Sequence, residues 1–201
     1  MRKKVCGLGT ILLLALAYVM DTENVFPYFV AATILHEMGH VIAVAACGGR
    51  IRSFTLAPFG FCLRFDGMMS YWCDAAIAAG GAAMNLCAAF LLSVAAKYLP
   101  WTESLKLAAG GNFLLGLFNL LPALPLDGGR VLYALLAQIL DDRRALIATR
   151  AASFLIGAGI TALGVYILVK TQYNMSILAV GSLILGGTYA QRAGENIIAR
   201  A

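Results

Sequence analysis

The octapeptide Thr33-Ile34-Leu35-His36-Glu37-Met38-Gly39-His40 places three ionisable side chains inside an apolar run from about Val25 to Cys47. A run of that length suits a membrane-spanning helix. There, each such group costs roughly 2.5–3.5 kcal/mol at mid-bilayer unless a metal, a partner or a water cavity compensates it. Two imidazoles four positions apart on a helix share one face, so both reach a single ion. Glu37, between them, stands close enough to act on a water at that ion without being a ligand. The chain has two histidines, and both lie in this stretch. His-Glu-x-x-His also arises by chance on surface helices, but chance gives no reason for an apolar setting. His36 and His40 are therefore candidate zinc ligands, with Glu37 the candidate base.

The 201-residue chain is 61% apolar and 12% charged, with a mean hydropathy of +0.84. That charged share is about half the usual one, so lipid is the solvent for most of the chain. The expected fold is an all-α polytopic membrane domain over residues 1–201, with about six spans at 5–20, 25–47, 74–96, 107–121, 147–169 and 175–190. Met1-Arg2-Lys3-Lys4 and the apolar stretch after it have the form of a secretory leader, with Ala15-Leu16-Ala17 as its cleavage site. The apolar run continues past that tripeptide, which favours a retained first span. Cys6, Cys47, Cys62, Cys73 and Cys87 form no close pair at ligand spacing, so neither disulfides nor a cysteine-zinc site are expected.

The net charge of +5 does not point to nucleic acid, because no basic run exceeds Arg2-Lys3-Lys4. Orientation explains it better. With the N-terminus inside, Arg2, Lys3, Lys4, Arg50, Arg52, Arg64, Arg130, Arg143, Arg144, Arg150, Arg192 and Arg200 fall on inner segments, and Lys97, Lys106 and Lys170 on outer ones. This bias places both termini in the cytoplasm. His36 then lies roughly 16 Å from the outer end of its helix, at 1.5 Å rise per residue. In a hydrocarbon core about 30 Å thick, the histidines occupy the cytoplasmic half.

Gly39 lets another helix come close, and Gly48-Gly49 ends the second span. From Phe59 to Phe65 the side chains alternate with strand period. Ile51–Leu56 is the partner strand and Ala57-Pro58-Phe59-Gly60 the turn of a small membrane-associated β-hairpin between the second and third spans. The competing form is an irregular loop on the membrane. An exposed hairpin edge would pair with an extended polypeptide.

The third span opens as a row of Ala and Gly, which reads as helix packing, with Asn85 in its middle either as interhelical glue or aimed at the site. Asn112 and Asn119, seven residues apart, share a face of the fourth span. Pro122 and Pro125 then break the helix before Leu126-Asp127-Gly128-Gly129-Arg130. Broken helix at membrane depth is tolerated where it is buried in protein or lines a cavity, which makes Asp127 the candidate third ligand. A solvated Asp-Gly turn is the alternative. Val131–Leu140 reads as a short helix, Asp141-Asp142-Arg143-Arg144 as an exposed corner, and the fifth and sixth spans, free of embedded charge, as scaffold.

His36-Glu37-x-x-His40 on one span and Asn119-x-x-Pro122-x-x-x-Leu126-Asp127-Gly128 on another together resemble the site-2 protease family of intramembrane zinc metalloproteases, peptidase family M50. The resemblance runs from Val25 to about Arg130 and includes Gly80-Gly81-x-x-x-Asn85. There the chain departs from the family pattern of glycine, proline and, three residues on, asparagine: Gly81 takes the proline position and Asn85 falls one residue late, unless the motif starts at Gly81. Small size and span count are closest to the sporulation stage IV FB group. That group typically carries a CBS domain after the last span, and neither a CBS nor a PDZ domain is expected here.

The resemblance implies one zinc ion per chain held by His36, His40 and Asp127, Glu37 as general base, and an amide of Asn119 or Asn85 bound to substrate or oxyanion. It implies hydrolysis of membrane-anchored or membrane-associated proteins in a bacterial-type cytoplasmic membrane, with a pro-sigma factor as one kind of substrate and regulatory membrane proteins as partners. Two rivals are weaker. A zinc-binding protein without catalysis, or a metal transporter, would spread ligands over several spans and need no base beside them. A scaffold protein gives no reason for the histidines and Asp127.

Overall fold

The computed structural model describes residues 21, 24–57, 60–66, 70–172 and 175–198, with side chains not described in 50–57, 60–66, 176 and 190–198. The expected span at 5–20 lies outside these residues. The elements are α1 (Phe26–Ala46), β1 (Arg50–Ala57), β2 (Gly60–Asp66), α2 (Tyr71–Ala95), α3 (Thr102–Asn119), α4 (Asp127–Leu136), α5 (Asp142–Thr171) and α6 (Ser176–Ile198). The chain divides into two compact units, one of Met1–Met69 with Gly80–Leu117 and one of Ser70–Ala79 with Phe118–Ala201.

In the first unit, α1 starts where Pro27 fits the opening turn, and the Asp21 carboxylate accepts from the N–H groups of Val25 (3.0 Å) and Phe26 (2.8 Å). The expected stop is where the sequence puts it. Gly48 takes φ +74°, and Gly49 N–H returns to the carbonyl of Val44 at 2.9 Å. β1 and β2 pair antiparallel from Arg50↔Asp66 to Ala57↔Gly60, with an irregularity between Ile51 and Ser53. Gly39 of α1 faces Gly80 of α2 so closely that a Cβ on either would strike the other's backbone. Such contact between small residues replaces the hydrophobic drive that lipid removes.

In the second unit, α5 and α6 pack along their lengths through small residues: a Cβ at Gly164 would lie 2.5 Å from Leu178 N, and one at Gly157 2.8 Å from Leu185 Cδ2. Asp141 caps α5, accepting from Arg144 N–H at 3.4 Å, and Asp142 receives the Tyr71 hydroxyl at 2.6 Å.

α1, α2 and α5 are long and apolar enough to cross a membrane, matching the expected spans at 25–47, 74–96 and 147–169. The other two fall short. α3 begins at Thr102, five residues before the expected 107, and so takes in Glu103 and Lys106, which pair at 3.1 Å. The apolar part of α6 is Ile177–Tyr189, within the 10–17-residue class. Most interior positions are small or polar (Ala32, Ala78, Ala82, Asn85, Asn112, Thr149, Ser153), with Val44, Ile77 and Ile184 the large exceptions, whereas Phe90, Leu91, Phe154, Leu155 and Val169 face outward. This inversion of a water-soluble core fits an integral membrane protein. Among the described residues, Cys47, Cys73 and Cys87 stand in no disulfide.

Candidate metal centre

α1 sorts its residues by face. Ala32, His36, Gly39 and His40 are buried, while Ile34, Met38 and Ile42 on the other side are about half exposed. His36 and His40, 5% and 7% exposed, turn their Nε2 atoms together at 3.2 Å, with the rings edge to face. Two nitrogen ligands held tetrahedrally at zinc distances of 2.0–2.1 Å would stand about 3.3–3.4 Å apart. The observed separation of 3.2 Å is close to that spacing. Glu37, partly exposed, sits between them in the chain.

α2 supplies the wall behind the imidazoles. A Cβ on Gly81 would lie 2.6 Å from His40 Nε2 and 2.7 Å from His36 Cε1 and Nε2, so any side chain there would push the rings from their meeting point. One turn on, His36 Nδ1–H donates to Asn85 Oδ1 at 2.7 Å. Gly81 and Asn85 thus fit the motif register that begins at Gly81. Asn85 is fully buried and gives its N–H groups to Ala32 O (2.9 Å) and Asn112 Oδ1 (2.8 Å). An oxyanion helper needs a free donor, and Asn85 has spent both, so that expectation fails for it. Asn112, expected only to share a helix face with Asn119, is 2% exposed, whereas Asn119, the last residue of α3, is partly exposed.

The second unit positions Asp127. Pro122 and Pro125 stop α3 from continuing, and Leu124-Pro125 is a cis peptide. The break leaves backbone groups that neither helix can satisfy, and side chains do it instead. Ser153 Oγ accepts from Leu124 N–H at 2.8 Å, and Thr188 Oγ1 donates to Leu124 O at 2.9 Å. The segment is buried, with Ala123 at 0% and Leu124 at 6% exposure. α4 starts at Asp127, earlier than the expected Val131, because Gly128 and Gly129 lie directly on the backbone of Leu120–Leu124 where no Cβ fits. Asp127 opens the first turn, where the helix dipole favours a carboxylate. Its side chain is 13% exposed and pairs with Arg130 Nη1 at 3.5 Å, so it is not the solvated turn aspartate of the alternative reading.

The donors named from the sequence are thus two buried imidazoles in the first unit, His36 and His40, and one largely buried carboxylate in the second, Asp127. Two nitrogens and one oxygen suit zinc with an open fourth position. Sequence reasoning missed Gly81 as the wall and Ser153 and Thr188 as partners of the break. The spacing Gly81-x-x-x-Asn85 carried a signal for the first; the hydroxyls carried none, since each also bonds within its own helix.

Residues 95–166 match the sequence profile of Peptidase family M50. A provisionally named zinc metalloprotease of Synechocystis sp. is 31% identical over 176 residues, covering 83% of this chain and 45% of that protein. A zinc metalloprotease of Methanocaldococcus jannaschii is 29% identical over 114 residues, 53% of this chain and 32% of the other. The provisionally named zinc metalloprotease Rip3 of Mycobacterium tuberculosis is 33% identical over a stretch of the same length, 53% and 29%. The chain spans less than half the length of these relatives. Among solved structures, the site-2 protease from Methanocaldococcus jannaschii shares the fold with a TM-score of 0.68 at 20% identity, covering 92% of this chain and 87% of that one.

Proposed function

We propose that this chain belongs to peptidase family M50 and is an intramembrane zinc metalloprotease in which His36, His40 and Asp127 hold the metal and Glu37 is the general base. The observation that carries the reading is the buried imidazole pair, Nε2 to Nε2 at 3.2 Å, on a helix long and apolar enough to cross a membrane. A zinc ion bound there supplies a Lewis acid and a water of lowered pKa. Glu37 would accept the proton of the attacking water as the water oxygen adds to the scissile carbonyl. It returns that proton to the amide nitrogen, so the C–N bond breaks into a carboxylic acid and an amine. The side-chain amide of Asn119 binds substrate or oxyanion.

The substrates are membrane-anchored or membrane-associated polypeptides. A helical substrate hides its carbonyls in its own hydrogen bonds and must unwind before attack. The β1–β2 ribbon offers an edge for the freed backbone, in the manner of strand addition. The charge distribution supports six spans, both termini in the cytoplasm and a centre in the cytoplasmic half of the bilayer.

The test is co-expression of the chain with a library of tagged single-span proteins, each compared with the Glu37→Gln form. Glu37→Gln is expected to keep zinc and lose cleavage by about 10²–10⁴-fold, the usual worth of a positioned base. His36→Ala is expected to lose both. Cleavage that survives Glu37→Gln would assign the base, or the activity, elsewhere.

A further inference from the structure

The hydrogen bonds behind His36 have a fixed direction, set by two backbone carbonyls. A carbonyl oxygen only accepts, so Ala32 O, 2.9 Å from the Asn85 amide, must face its nitrogen. Asn85 Oδ1 then faces His36 Nδ1 at 2.7 Å, and the imidazole must carry its proton there. Ala108 O does the same for Asn112, receiving its Nδ2–H at 2.8 Å and leaving Asn112 Oδ1 to accept from Asn85 at 2.8 Å. Carbonyls on α1 and α3 thus determine the state of one ring on α1 through two amides, 0% and 2% exposed.

We infer that Asn85, held in orientation by Asn112, is a positioning residue that locks His36 in the Nδ1–H tautomer and keeps its Nε2 lone pair directed at the ligand point. Neither amide touches the reacting atoms. The inference rests on the zinc reading above for its consequence, but not for the tautomer itself. A ligand imidazole gains basicity and a fixed ring plane from such a partner, and loss of the partner typically costs 10–100-fold in metal affinity.

With two histidines in the chain, ¹⁵N-histidine labelling gives a spectrum of two side chains. In detergent micelles without metal, His36 is expected as the Nδ1–H tautomer. Asn85→Ala should abolish that preference and weaken zinc binding, read by chelator competition, about 10–100-fold. Asn112→Leu should act in the same direction, because nothing then stops the Asn85 amide from turning. Asn112→Asp, as the neutral acid, keeps an oxygen to accept from Asn85 and an O–H to donate to Ala108 O, and should hold both the tautomer and the affinity close to wild type. Should Asn85→Ala fail to fold, the two Asn112 variants still decide. Equal behaviour of Asn112→Leu and Asn112→Asp, or an Nε2–H tautomer in the wild type, overturns the inference. Wild-type protein that shows the tautomer but binds no zinc would instead overturn the functional reading.

Discussion

At Gly81 a missing side chain does more than any present one. A Cβ there would stand 2.6–2.7 Å from atoms of both imidazoles, nearly an ångström inside ordinary contact. Neither the rings nor the paired helices can yield freely, since Gly39 and Gly80 already bring the backbones together. Forcing one methyl group into such packing costs typically 1–3 kcal/mol. Gly81→Ala is therefore expected to weaken zinc binding by about 10–100-fold, as 1.4 kcal/mol is a factor of ten. Competition with a chromophoric chelator measures it, and unaltered affinity would show that the rings are not confined from that side. The histidines and Glu37 were legible in the sequence because ionisable groups in an apolar run demand a reason. Gly81 was not, because glycine in a membrane helix already has an ordinary explanation in packing.

The elements show the same division. α1 could be delimited from sequence because Pro27 and Gly48 act locally, one presetting the first turn and the other accepting a left-handed φ. The starts of α3 and α4 could not. Glu103 and Lys106 satisfy each other on the first turn of α3, so residues that look like loop join the helix. Gly128-Gly129, ordinarily a stop, begins α4 because tertiary contact with Leu120–Leu124 excludes any larger residue. The broken segment between these helices depends on hydroxyls from two others. Ser153→Ala would leave the Leu124 N–H buried and unpaired, a loss of about 1–3 kcal/mol. Thermal unfolding in detergent should register it, and Ser153→Ala with an unchanged melting temperature would mean that water reaches the break.

At the scale of the whole chain, the outward Leu, Phe and Val side chains and the alanine-rich interior have a calorimetric consequence. The large positive heat capacity of unfolding in soluble proteins comes from wetting greasy surface that folding had kept dry. Here that surface is already immersed in acyl chains before any helix separates, and parting alanines exposes little of it. Melting in lipid vesicles should thus show a heat-capacity increment per residue well under the 12–15 cal/mol/K typical of water-soluble domains. An increment of the ordinary size would mean that heating drives the helices out of the bilayer. With a small one, the free energy changes almost linearly with temperature, and the protein has no cold limit of its own; only freezing of the lipid sets one.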